Sequence, residues 1–249
     1  MTKLIHDTYV CIDCESTGLD VKNDHIIEIA AAKFKDGKII ESFSSLIDPK
    51  CKIPLESQEI HHISDEMVKG KPTIDKVLPS FFKFIKDYTI VGHGILFDIQ
   101  IISNSAKKCG ILSSIEKTTF LDTLRLARLY GKAPVNSLEQ LRKHFNVPEE
   151  GAHRALNDVL VNIAVFYHLT SFYKNSKELF VKLQKPILLK NMPLGKHKGR
   201  PFDEVPIEYL YWAVKKDFDL DLSYSIRKAI KNRKTRNLFA QSGNPFSDL

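Results

Sequence analysis

Two acidic residues two positions apart, Asp13 and Glu15, close a short apolar run, Tyr-Val-Cys-Ile-Asp-Cys-Glu, over residues 9–15. On a β-strand, side chains alternate between faces, so both carboxylates point to the same side. Side by side at the end of a buried strand they repel each other unless something positive lies between them. A hard dication that prefers oxygen ligands, Mg2+ or Mn2+, resolves that conflict. Taken alone, the pair fits an exposed strand end better than a site. Two further segments change the balance. Residues 91–98, Val-Gly-His-Gly-Ile-Leu-Phe-Asp, put His93 at a strand end and Asp98 at the start of the next helix. Residues 151–158 put His153 just before a long helix and Asp158 within its first two turns, in a stripe otherwise made of Leu156, Val159 and Leu160. An acid in such a stripe is costly unless it is paired or binds metal. The alternative is an acid favoured only by the dipole of the helix N-terminus.

The elements that must position these groups follow from patterning. Residues 9–15 predict a buried strand stopping at Ser16-Thr17-Gly18, and residues 25–35 and 39–47 predict a hairpin turning at Asp36-Gly37-Lys38. Helical spacing of Val77, Leu78, Phe81, Phe82 and Ile85 predicts a core-facing helix over 74–87. A fourth strand (88–93), a helix (97–108), the end of a fifth strand at Asp122, a helix over 137–145 capped by Ser137 with Gln140, and a long helix over 154–173 follow. Strands first, then strand–helix alternation, argue for an α/β domain with a mixed five-stranded sheet flanked by helices.

These residues, in this order, resemble the DEDDh 3′–5′ exonucleases, the DnaQ-like group of the DNA polymerase III epsilon proofreading subunit. Asp13-Cys14-Glu15-Ser16-Thr17-Gly18-Leu19 is similar to the first motif of that family. His93-Gly94-Ile95-Leu96-Phe97-Asp98 is similar to the second, and His153-Arg154-Ala155-Leu156-Asn157-Asp158 to the third. Residues 60–68 and 120–128 resemble two intervening segments. Gly94 replaces a common Asn, and His62 a common Gly. The resemblance spans residues 9–173 and implies an RNase H-like fold with two Mg2+ or Mn2+ ions. Asp13, Glu15 and Asp158 would hold one ion, Asp13 and Asp98 the other, and His153 would act as general base. It further implies that Ser16, Thr17, Leu19, His93 and Phe97 grip the terminal nucleotide and that His61 reaches the neighbouring one. The substrate implied is a DNA 3′ end, single-stranded or frayed, in proofreading or repair. An RNA-trimming exonuclease and a non-catalytic nucleic-acid-binding or polymerase-binding subunit are the alternatives, a DNA polymerase being the implied protein partner.

Composition sets the frame. The chain has 249 residues, 43% hydrophobic and 27% charged, with a formal net charge of +7. That balance is ordinary for a globular protein and too apolar for a disordered one. Residues 1–175 carry 22 basic and 22 acidic side chains, and residues 176–249 carry 15 and 8, so the whole excess lies in the last 74 residues. We expect an exonuclease domain over 1–174, a linker over 175–190 and a small basic nucleic-acid-binding module over 191–249. Residues 192–216 resemble the module appended to exodeoxyribonuclease X-like proteins. There, Lys196, Lys198 and Arg200 in a glycine-flanked loop suit phosphate contacts, with a solvated turn as the alternative. The run Ile-Arg-Lys-Ala-Ile-Lys-Asn-Arg-Lys-Thr-Arg over 226–236 adds six cations. Trp212, the sole tryptophan, is expected in the core of this module, with a base-stacking platform as the alternative. No apolar run is long enough to span a bilayer and no signal core opens the chain, so a cytoplasmic protein is expected, without a membrane partner. Cys11 and Cys14 should point to opposite faces of their strand, which argues against a zinc or disulfide pair.

Overall fold

The computed structural model describes residues 7–132, 136–148, 154–173, 175–216 and 218–241. The chain divides into two compact units, residues 1–180 and 181–249. In the first unit the strands are β1 (Tyr9–Ser16), β2 (Ile26–Lys35), β3 (Lys38–Leu46), β4 (Thr89–Gly92) and β5 (Phe120–Asp122). They form one sheet in the order β3-β2-β1-β4-β5, antiparallel from β3 to β1 and parallel from β1 to β5. The helices are α1 (Leu55–His61), α2 (Asp65–Val68), α3 (Ile74–Ile85), α4 (Leu96–Lys108), α5 (Thr123–Tyr130), α6 (Leu138–His144), α7 (Ala155–Thr170) and α8 (Ser176–Leu183). The expected mixed five-stranded α/β sheet is present.

Alternation along β1 sorts the two faces. Val10, Ile12 and Cys14 join the cluster that includes Val77, Leu78 and Phe81 of α3 and Ile99 and Ile102 of α4. The odd-numbered residues face α7: Tyr9 packs on Phe166 with ring centroids 5.2 Å apart, and the Asn162 amide reaches the Cys11 sulfur at 3.5 Å. Asp13 and Glu15 therefore share the face that α7 covers. Cys11 and Cys14 are separate buried thiols.

Two local expectations need correction. Ser137 occupies the N-cap of α6, but its side chain makes no capping hydrogen bond. The segment expected to be a linker holds α8, in which Leu179 is fully buried. An apolar residue with a burial site overrides the polar composition around it.

The second unit contains α9 (Ile207–Ala213) and α10 (Leu220–Gln241). Its own core gathers Met192, Phe202, Val205, Leu210, Ala213, Leu222, Ile226 and Ala229. The basic run lies on α10. Trp212 is not in this core: it is 50% exposed, because Leu210 and Ala213 take the inward face of α9. Among the described residues no helix is long and apolar enough to cross a membrane.

Candidate active site

Strand β1 delivers Asp13 and Glu15 to the α7 face, and Asp158 lies in the first turn of α7. Each of the three offers a carboxylate oxygen within 4.8 Å of the others. Asp98, 5% exposed, enters from the N-terminus of α4. Pairing of β1 with β4 ends at Cys11 and Val91. Beyond that point the Cys14 backbone N–H donates to the Asp98 carboxylate instead of to a strand. The early end of β4 thus makes room for Asp98.

Electrostatics record the crowding. Burial, then Asp98, then Glu15 and Asp158, push the Asp13 carboxyl well above its ordinary range. Burial, followed by Asp158 and Glu28, pushes Glu15 up to about 8 against the pull of Arg154. Asp98 is pushed up to about 7 by burial, opposed by backbone hydrogen bonds including that from Cys14. Four carboxylates so placed repel one another. An all-oxygen set with this much unneutralised charge fits hard dications such as Mg2+ or Mn2+.

One acid was not legible as functional in the sequence. Glu28 on β2, opposite Glu15 in the register, is 2% exposed. The Arg154 guanidinium donates to it at 2.7–3.2 Å, and the Ala155 backbone N–H at 3.0 Å. Glu28 therefore satisfies an unpaired amide at the start of α7 and anchors that helix to the sheet. Asp158 is held by this clasp. The available signal was an acid inside the apolar run Ile-Ile-Glu-Ile-Ala-Ala-Ala, which demands a partner.

The other expected site residues divide by environment. Ser16 donates to the Gly18 carbonyl at 2.7 Å. Thr17 donates its hydroxyl to Asp24 at 2.8 Å, while its backbone N–H meets the His25 carbonyl and its carbonyl accepts from Ser57. This turn is held by its own bonds, and Leu19 projects from it 88% exposed. His61 is buried, not presented to solvent: its Nδ1 accepts from the Ile63 N–H at 3.0 Å, and its Nε2 has no partner. Burial pushes the His93 imidazole down to about 4, against a backbone hydrogen bond at Asn136, so the ring is neutral near pH 7. Its Nδ1 meets the Thr123 hydroxyl at 3.0 Å, and that hydroxyl lies 2.7 Å from Asn162 of α7. Phe97 is half-buried against the α3–α4 core. His153 lies outside the described residues. Lys196, Lys198 and Arg200 are exposed in the second unit.

The comparisons with known proteins agree with this architecture. A family model described as exonuclease matches residues 10–166. A second, described as a quorum-sensing-regulated virulence factor, matches residues 181–221. The DNA polymerase III PolC-type protein of Clostridium perfringens is 39% identical over 174 residues, 70% of this chain but 12% of that protein. The chain thus spans a small part of the PolC-type relatives. The DNA polymerase III subunit epsilon of Aquifex aeolicus is 35% identical over 164 residues, 66% of this chain and 80% of its own length. Among solved structures, exonuclease X in complex with 5′-overhanging duplex DNA has a TM-score of 0.54 at 26% identity, covering 66% of this chain and 92% of that one. Exonuclease I, at 19% identity and a TM-score of 0.61 over 72% of this chain and 43% of its own, shares the fold. By these likenesses the chain belongs to the exonuclease family, in its DEDDh, DnaQ-like branch.

Proposed function

We propose that the chain is a divalent-metal-dependent 3′–5′ exonuclease that hydrolyses phosphodiester bonds at DNA 3′ ends and releases nucleoside monophosphates, in proofreading or repair. The observation that carries the reading is the convergence of Asp13, Glu15 and Asp158 within 4.8 Å. With Asp98 beside them, these carboxylates would hold the Mg2+ or Mn2+ ions. Bound there, the ions supply charge stabilisation for the attacking and departing oxygens of the phosphodiester.

The residues themselves hold and orient. The Glu28–Arg154 clasp fixes α7, and so Asp158, against the sheet. His153, directly before Arg154, is the general base of this reading, because an imidazole takes a proton readily near neutral pH. Leu19, exposed on the turn after β1, offers an apolar surface to the terminal base. Ser16, Thr17, His93 and Phe97 form the surrounding turn and wall, whereas His61, being buried, is left out of the contact. Association with a DNA polymerase belongs to the same reading, drawn from relatives named as DNA polymerase III proteins.

A gel assay with 5′-labelled single-stranded DNA, 3′-mismatched duplex and RNA tests it. Stepwise shortening of the DNA substrates is expected only with Mg2+ or Mn2+ present, and none with Asp13→Ala. Faster shortening of RNA would reassign the substrate. Binding with no shortening of any strand would make the chain a binder.

A further inference from the structure

The second unit carries an aromatic and cationic strip that hydrolysis does not use. On α9, Tyr211 is 41% and Trp212 50% exposed, while Leu210 and Ala213 fill the core. Trp212 packs on Tyr209 with centroids 5.2 Å apart, and Tyr209 makes a T-shaped contact with His197 at 4.5 Å between centroids. His197 is the buried member of the Gly-Lys-His-Lys-Gly-Arg loop, so it ties the exposed Lys196, Lys198 and Arg200 to the aromatic run. Gly195 has φ +73°, and a β-carbon there would come within 2.6 Å of the Tyr209 hydroxyl, so any other residue would strain the backbone and push the ring aside. Lysines also sit over the exposed rings, Lys216 at 5.0 Å from the Trp212 centroid and Lys234 at 5.8 Å from that of Tyr211.

From this arrangement we propose a single-stranded nucleic-acid track. Trp212 stacks an unpaired base, and Lys196, Lys198, Arg200, Lys216 and Lys234 meet the phosphates along the strand. Half-exposed aromatics framed by flexible cations are what sequence-tolerant strand binding requires. A duplex keeps its bases stacked on each other and cannot use the rings. A protein interface would deplete lysine around an aromatic anchor, whereas here lysines sit on the rings. Over residues 195–216 five cations face three acids, Asp203, Glu204 and Glu208, which leaves the strip positive. The proposal rests on the nuclease reading only for the choice of nucleic acid as the polyanion.

Because Trp212 is the sole tryptophan, the full chain reports on its own track. In EDTA, oligo(dT) should quench the tryptophan emission saturably, and the matching blunt duplex should not. By anisotropy of labelled oligo(dT), Trp212→Ala should weaken binding on the order of tenfold, with Trp212→Phe keeping most of the affinity. Unchanged emission at saturating oligo(dT), or wild-type affinity in Trp212→Ala, overturns the track and leaves the strip to a protein partner. Equal quenching by duplex overturns its single-strand character. Hydrolysis without quenching sinks this proposal alone, and quenching without hydrolysis in Mg2+ sinks the nuclease reading alone.

Discussion

At the scale of single residues the site is a conflict held in place. Carboxyls raised above their ordinary pKa are stabilised in the folded, metal-free chain when protonated and destabilise it when ionised. For Asp98, at about 7, and Glu15, at about 8, the stability is fully present below the ordinary carboxylate values. It is lost as pH rises through the two raised values. The thermal midpoint of the metal-free chain should therefore fall between pH of about 5 and about 9, and saturating Mg2+ should restore it at the upper end. A flat profile in differential scanning calorimetry would contradict the crowding. Asp158→Ala removes one repelling charge and one oxygen ligand together. It should abolish 3′-end shortening on the gel while leaving the metal-free midpoint at pH 8 unchanged or higher.

At the scale of elements, α7 is only as well placed as its attachment to β2. Glu28→Gln keeps the shape of the side chain but loses the charge that Arg154 and the Ala155 amide bind. Charge-assisted bonds of this kind are worth roughly 1.5–3 kcal/mol each, so a loss of about 2 kcal/mol is expected in urea unfolding. As a positioning residue, Glu28 should affect kcat far more than KM. The two departures from the family pattern are also explained at this scale. Gly94 has φ +68°, which Gly and Asn both adopt readily, and its N–H donates to Asp122 at 2.9 Å. Gly for Asn is therefore a conservative exchange of backbone. His62 closes α1 with φ 56°, a left-handed cap for which glycine is the natural residue. His62→Gly should raise stability by up to about 1 kcal/mol, read as a shift of the urea midpoint.

For the molecule as a whole, charge is partitioned by unit. Residues 1–175 are balanced, and the surplus of +7 lies on residues 176–249, with Lys196, Lys198 and Arg200 exposed on one loop. Each single-strand phosphate contact contributes about 0.7 to the slope of log affinity against log salt. Replacing all three by Ala in the full chain should flatten that slope by about two, measured by anisotropy titrations in EDTA. An unchanged slope would mean that the loop is a solvated turn.

Much of this was legible in one dimension. Period-two alternation put Asp13 and Glu15 on one side of β1, and apolar spacing found α3 and α7, because these patterns are local and repeat within one element. The motif order carried the family resemblance for the same reason. What only the tertiary structure decided depends on partners far apart in sequence. Glu28 became the anchor of α7 through Arg154, 126 positions away. His61 went into the interior, and Trp212, expected in the core, came to the surface. A side chain's type says what it can do. Whether it is buried, paired or presented is settled by which other element packs over it, and that information is in no stretch of chain taken by itself.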